Sequence, residues 1–265
     1  MRKSINNGNI TWLDEGQGAT IVLIHGFAEN SALWDIQTTQ LKTRYRVIIP
    51  DLPGTAVVPL STPLTIESMA EYVYAILLAE NISDAVIIGH SMGGYIALAL
   101  AEKYPSGLKG LGLFHSTAKA DNEEKKEGRR KSIKLMEQYG ADTFLRQTLP
   151  NMFSPATKST LPAEIEAYVK MGMECQLPAL VAYYEAMAAR PDRTDVLKAL
   201  RVPVLFMIGK DDNAVPLDNV LPQITLPRVS SIHIFENVGH MGMWEVATES
   251  NVILEQFIAF CQLSS

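Results

Sequence analysis

Ala85-Val86-Ile87-Ile88-Gly89-His90-Ser91-Met92-Gly93-Gly94-Tyr95-Ile96-Ala97-Leu98-Ala99-Leu100 is the stretch that decides the fold. Residues 85–88 form a short apolar run, rich in β-branched residues and bounded by glycine, as in a strand covered on both faces. From Met92 onward the residues are small or straight-chained and suit a helix packed on a sheet. Between the two, Gly89-His90-Ser91-Met92-Gly93 matches G-x-S-x-G, a nucleophile elbow whose sharp strand-to-helix turn lifts a serine above the sheet edge. The glycines have a steric reason: in so tight a turn, a Cβ at 89 or 93 would run into neighbouring backbone. The helix that follows points its free N–H groups at any oxyanion formed over Ser91. A pattern with three fixed positions arises often by chance, so partners elsewhere in the chain must decide its meaning.

Outward from the elbow, short apolar runs alternate with helical patterns. Residues 10–14 alternate as an edge strand does. Residues 21–24 predict the first fully buried strand, stopping at His25-Gly26-Phe27-Ala28. Ser31 is placed to cap a helix running to 42. Residues 47–49 predict a strand ending at Pro50-Asp51-Leu52-Pro53-Gly54, and Thr65 caps a helix over 66–80. Residues 108–114 predict the strand after the elbow, ending at His115-Ser116-Thr117. Two more strands follow, 202–209 ending at Lys210-Asp211-Asp212-Asn213 and 232–235 ending at Asn237-Val238-Gly239-His240. An amphipathic helix over about 248–261 ends the chain. This alternation predicts an α/β fold, a mostly parallel twisted sheet flanked by helices. Ligands in such sheets bind beyond the carboxyl ends of the strands, where His25, Asp51, Ser91 and His115 fall.

Residues 119–193 break the alternation. They contain a charged helical stretch over 122–139, a break at Pro150, Pro155 and Pro162, and methionine-rich amphipathic segments over 165–173 and 179–187. This predicts an all-helical cap inserted over the strand ends, with the core formed by 1–118 and 194–265. Met171, Met173, Tyr183, Tyr184 and Met187 are candidates to line an apolar pocket beneath it, since methionine adapts to irregular ligands; plain core packing is the competing role.

With 265 residues, 47% of them hydrophobic, the chain is long enough for one large domain with an insertion. The net charge of −6 and the lack of a dense basic patch argue against nucleic acid or an anionic membrane as partner. Arg129-Arg130-Lys131 follows a mixed-charge run and reads as a solvated helix face. Cys175 and Cys261 lie far apart and suggest neither a disulfide framework nor a metal site. Met1-Arg2-Lys3-Ser4 leads into Ile5-Asn6-Asn7-Gly8-Asn9, with no apolar signal core, and no run is long enough to span a bilayer. A cytoplasmic location is expected, and oligomeric state is open.

A serine hydroxyl needs a histidine to take its proton and a carboxylate to hold that histidine. His25 and His90 adjoin glycine-rich turns, His233 lies within a strand, and His115 ends one where it could rim a pocket. His240, in a loop beside Gly239, best suits a mobile general base. Asp211 and Asp212 both qualify as the acid. The order nucleophile, acid, histidine is that of α/β-hydrolases.

On these residues the chain resembles the α/β-hydrolase superfamily over nearly its whole length. The resemblance rests on His25-Gly26, Asp51-Leu52-Pro53-Gly54, Gly89-His90-Ser91-Met92-Gly93-Gly94, Gly209-Lys210-Asp211-Asp212-Asn213-Ala214-Val215-Pro216 and Gly239-His240. It implies Ser91 as nucleophile and His240 as general base and acid. The family's acid stands four residues before the proline of its loop, which selects Asp212 over Asp211. It also implies an oxyanion hole from the backbone N–H groups of Phe27 and Met92, with His25 bracing that loop. His25, His90, His115, Tyr184 and Met187 are the candidate substrate contacts. Serine at the elbow, where haloalkane dehalogenases and epoxide hydrolases carry aspartate, sets those chemistries aside. No metal or organic cofactor is implied. The expected function is a serine hydrolase acting on small to medium carboxylic esters through an acyl-enzyme. Similar proteins use the same triad for C–C bond hydrolysis, cofactor-free lyase reactions or perhydrolysis, and a non-catalytic small-molecule receptor on this fold is the alternative from another class. One departure stands out: Thr55-Ala56-Val57-Val58-Pro59 follows Asp-Leu-Pro-Gly where relatives usually carry a second glycine and a serine. It reads either as a loop folded under the cap or as a reshaped, more apolar entrance.

Overall fold

The structure, a computed structural model, describes residues 1–55 and 58–263. Its eight strands are β1 (Arg2–Ile5), β2 (Ile10–Glu15), β3 (Thr20–Ile24), β4 (Arg46–Asp51), β5 (Ala85–His90), β6 (Leu108–Phe114), β7 (Val204–Gly209) and β8 (Ser230–Phe235). They form one sheet in the order β1-β2-β4-β3-β5-β6-β7-β8. From β4 to β8 all neighbours are parallel, and β1 and β2 add an antiparallel edge.

The apolar runs are continuous because successive side chains enter different cores. Val22 and Ile24 pack on one face with Ala85, Ile87, Phe206 and Ile208. Ile21 and Leu23 pack on the other with Val86, Ile88, Leu205 and Met207. Helices α1 (Asp35–Leu41), α2 (Ile66–Ala79) and α3 (Met92–Lys103) follow strands β3, β4 and β5. Helices α2 and α3 cover the first face, with Met69, Val73, Ile76 and Ile96. Helix α1 and the C-terminal helix Ala247–Leu263 cover the second, with Leu41, Leu254 and Ile258. Burying a residue of this size contributes about 1.5–3 kcal/mol.

Two local readings need correction. Asn30, not Ser31, caps the segment after β3: its side chain accepts from the Ala32 N–H at 2.9 Å, and a 3-10 turn over Ser31–Trp34 precedes α1. Residues 2–5, for which no element was expected, form β1, whose alternate residues are exposed and which is held by pairing with β2. Thr65 caps α2 as expected, in a reciprocal capping box with Ser68.

Between β6 and β7 the elements of the described residues are all helical, among them α4 (Glu123–Tyr139), α5 (Ala141–Thr148), α6 (Pro155–Lys158), α7 (Pro162–Met173) and α8 (Leu177–Ala189). Pro155 and Pro162 are starts rather than breaks, each the first residue of its helix, where a missing N–H costs nothing. The two ends of this helical span meet. The Arg193 N–H donates to the Ala118 carbonyl at 2.7 Å, Arg190 Nη2 donates to the Lys119 carbonyl at 3.0 Å, and Arg190 pairs with Asp121 at 2.9 Å. Of the atypical loop, Ala56 and Val57 lie outside the described residues. Val58 is buried in the core, and the Thr55 hydroxyl donates to the Leu52 carbonyl.

Candidate active site

Ser91 sits between β5 and α3 with φ 52° and ψ −117°. A non-glycine residue held in this region stores about 1–3 kcal/mol and persists only where its surroundings enforce it. Here the Ser91 N–H donates to the Phe114 carbonyl at 3.0 Å, and the Ser91 carbonyl accepts from the Gly94 N–H and the Ser116 hydroxyl. The steric account of the glycines holds: a Cβ at Gly89 would lie 2.1 Å from the backbone of Gly93. One at Gly26 would lie 3.1 Å from the Ser91 Cβ, so the loop after β3 presses against the serine.

Asp212 follows β7 and His240 follows β8. His240 Nδ1 is 2.8 Å from Asp212 Oδ2, with both residues at least 96% buried. Asp211 is partly exposed, and the carboxylate that meets His240 is that of Asp212. Asp212 Oδ1 accepts from the Ala214 and Val215 N–H groups, 2.8 Å each, and His115 Nδ1 also faces Oδ2, at 3.3 Å. Burial alone would raise the Asp212 carboxyl, but His240 and His115 outweigh it and hold the acid well below its usual range. Its stabilising share is therefore present above the ordinary value of 3.8 and is lost as pH falls toward the depressed one. Asp212→Asn should flatten the decline of melting temperature with acid below that value, as seen in thermal melts across pH.

Ser91, His240 and Phe27 line one cavity of about 330 Å³. Lys125, Arg129, Tyr168, Tyr184 and Met187, from the helices between β6 and β7, line it as well. Tyr184 stacks on Phe27 with ring centroids 4.3 Å apart. Tyr184 and Met187 thus meet the cavity as expected, being three residues apart on one face of α8. Tyr183 and Met171 do not. Tyr183 is buried with its hydroxyl donating to the Pro53 carbonyl at 2.7 Å, and Met171 packs in the core.

His25, His90 and His115 also correct the expectation of substrate contact, since all three are buried behind the wall. His25 Nε2 accepts from the Leu52 N–H at 3.1 Å, so it braces the loop. His115 turns Nδ1 to Asp212, while Nε2 has no hydrogen-bond partner among the described residues. His90 Nδ1 lies 3.0 Å from Glu29 Oε2, and its Nε2 lies 2.9 Å from the His240 carbonyl.

Glu29 was not anticipated. It is 1% exposed, and its Oε2 accepts from the Gly26 N–H while Oε1 accepts from the Tyr168 hydroxyl at 3.2 Å. Both of its oxygens are acceptors, and both His90 nitrogens face acceptors. This arrangement suits a carboxylate beside an imidazolium. Burial opposes each charge, but their mutual attraction outweighs it, lowering Glu29 and raising His90. The only sequence signal was one acid in an otherwise uncharged stretch, residues 25–34.

His115, Asp212 and His240 bring ligand-type atoms within 4.8 Å of one another, as a metal site would. The Asp212 oxygens already receive two ring nitrogens and two amides, so hydrogen bonding accounts for this cluster. Among the described residues, no helix is long and apolar enough to cross a membrane.

A family model described as the alpha/beta hydrolase fold matches residues 19–247. The chain is 27% identical to a 2-hydroxy-6-oxo-6-phenylhexa-2,4-dienoate hydrolase of Burkholderia cepacia, covering 97% of this chain and 93% of that protein. It is 26% identical to a pimeloyl-[acyl-carrier protein] methyl ester esterase of Vibrio cholerae, covering 94% and 96%. Among solved structures it resembles a thermophilic esterase from Thermogutta terrifontis, with a TM-score of 0.90, 28% identity and coverage of 97% and 96%. An enol-lactonase from Burkholderia xenovorans shares the fold, with a TM-score of 0.87, 19% identity and coverage of 98% and 100%.

Proposed function

Because the chain belongs to the α/β-hydrolase fold family of hydrolytic enzymes, we propose that it cleaves small to medium carboxylic esters through an acyl-enzyme on Ser91. The observation that carries this reading is the Asp212–His240 pair, bonded at 2.8 Å, opening on the same cavity as the elbow serine.

In this reading Ser91 Oγ attacks the ester carbonyl while His240 Nε2 takes its proton. Asp212 fixes the ring and balances the imidazolium. The tetrahedral oxyanion rests on the N–H groups of Phe27 and Met92. Met92 is the first residue of α3, where an amide has no partner within the helix. Each such donor is worth about 3 kcal/mol to the transition state. His240 then gives its proton to the departing alcohol. A water, deprotonated by His240, adds to the acyl carbon, and collapse frees the acid and restores Ser91. The span 119–193 acts as the cap that shapes the substrate cavity. A cytoplasmic location goes with this reading, and two buried, unpaired cysteines fit it.

C–C bond hydrolysis by the same triad is the second reading, favoured by the dienoate hydrolase that aligns over 97% of the chain. A fluorophosphonate probe is expected to add its mass to the peptide carrying Ser91, with p-nitrophenyl butyrate hydrolysed by the unlabelled protein. Failure of both would overturn the ester reading. Turnover of a vinylogous 1,5-diketone without turnover of esters would favour the second.

A further inference from the structure

We propose that the substrate cavity takes an ester whose far end carries a carboxylate, with Lys125 as the anchor of an anion subsite on the cap wall. The inference names a substrate class for the proposed ester hydrolase, and its catalytic arm rests on that reading.

Helix α4 turns an unusual stripe to the cavity. Lys125, Gly128, Arg129 and Ser132 all line it, at spacings i, i+3, i+4 and i+7. These four define one face of the helix, and none is an apolar side chain. Helix α8 faces the same space with Tyr184 and Met187. A helix that only covered an apolar cavity would present an apolar stripe.

The charges on the wall do not cancel. Arg129, on the wall, shares the carboxylate of Asp121 with Arg190, which is not part of the lining. Lys125 has no ion-pair partner among the described residues. Its Nζ donates to the Ala214 carbonyl at 2.8 Å, and Ala214 in turn donates its N–H to Asp212. The ammonium is therefore fixed beside the loop that carries the catalytic acid, with two further N–H donors. The cavity's own carboxylate, Glu29, is neutralised by His90. What remains is one unpaired ammonium on the wall of a small, half-open cavity, where a charge-assisted bond to a ligand is worth more than in bulk water. The volume, about 330 Å³, is near the lower limit of ligand pockets, so the anion and the ester carbonyl belong to one small molecule.

Ser91→Ala protein, expected to hold esters with only a small residual turnover, can be titrated by calorimetry with monoethyl glutarate and with ethyl pentanoate, an uncharged ester of similar length. The half-ester is expected to bind about tenfold more tightly, with the advantage shrinking as salt is added. In the same background Lys125→Met should remove the advantage and Lys125→Arg should keep most of it. Lys131→Met, at an exposed position of the same helix, should leave it intact. Equal binding of the two esters, or an advantage that survives Lys125→Met, overturns the subsite. In the active protein the ratio of kcat/KM for the two esters should follow the same order. If neither ester is turned over while the half-ester still binds selectively, the ester-hydrolase reading fails and the anion subsite stands.

Discussion

Ser91→Ala is expected to lower kcat/KM for p-nitrophenyl butyrate by about 10⁴-fold or more, while the melting temperature barely moves. The rate should collapse because the variant has no oxygen to attack the carbonyl. The oxyanion donors and the cavity would still bind ester, which leaves a small residual rate over water. Stability should hold because the hydroxyl lines a cavity, whereas the elbow is enforced by main-chain bonds to Phe114 and Gly94 and by Ser116. Alanine and serine also pay a similar cost for the left-handed backbone at 91. Steady-state kinetics and thermal melts on the two proteins check both halves. A variant that hydrolyses the ester at the parent rate would remove Ser91 from the chemistry.

Breaking the buried His90–Glu29 pair should have the second large effect, this time on stability. Glu29→Gln is expected to destabilise the protein by about 3–5 kcal/mol in denaturant unfolding, because an imidazolium is left without its counter-ion. Activity should fall further than the lost stability explains. The pair joins the Gly26 amide, next to the proposed oxyanion donor Phe27, to the carbonyl of the proposed base His240. Replacing both partners by leucine should recover only part of the stability, since no charge is then stranded but the Gly26 amide, the Tyr168 hydroxyl and the His240 carbonyl lose their partners, and it should not recover the activity.

The pH dependence has a definite sign. Glu29, lowered from 4.5, contributes above that value and loses its share as pH falls through the depressed one. His90, raised from 6.5, contributes below that value and loses its share as pH rises through the raised one. The pair's contribution is full between 4.5 and 6.5, and Glu29→Gln should erase both flanks. A plateau unchanged in the variant would show that the pair carries no such charge.

The central strands were legible because burial on both faces leaves unbroken apolar runs, as in residues 21–24 and 85–88. The candidate triad was legible because its members follow three strands in a fixed order with marked turns. Glu29 was not. An acid in a loop gains its meaning from His90 and Tyr168, which stand 61 and 139 residues further on. The pocket was legible only in part. Tyr183 and Tyr184 are neighbours of one residue type, and packing against Pro53 or Phe27 decides which meets the cavity. The histidines misled for a similar reason. A strand end near the elbow can place a side chain in the cleft or behind it, and His25, His90 and His115 went behind.

The place where the helical insertion departs and returns is narrow, closed by Ala118 against Arg193 and by Asp121 against Arg190. A segment tethered at so small a neck behaves as an exchangeable cassette. Its length and lining can drift, or be grafted from another protein, without displacing the strands on either side. In the proposed hydrolase, selectivity would then be rewritten in this helical span while the residues at the strand ends stay in place.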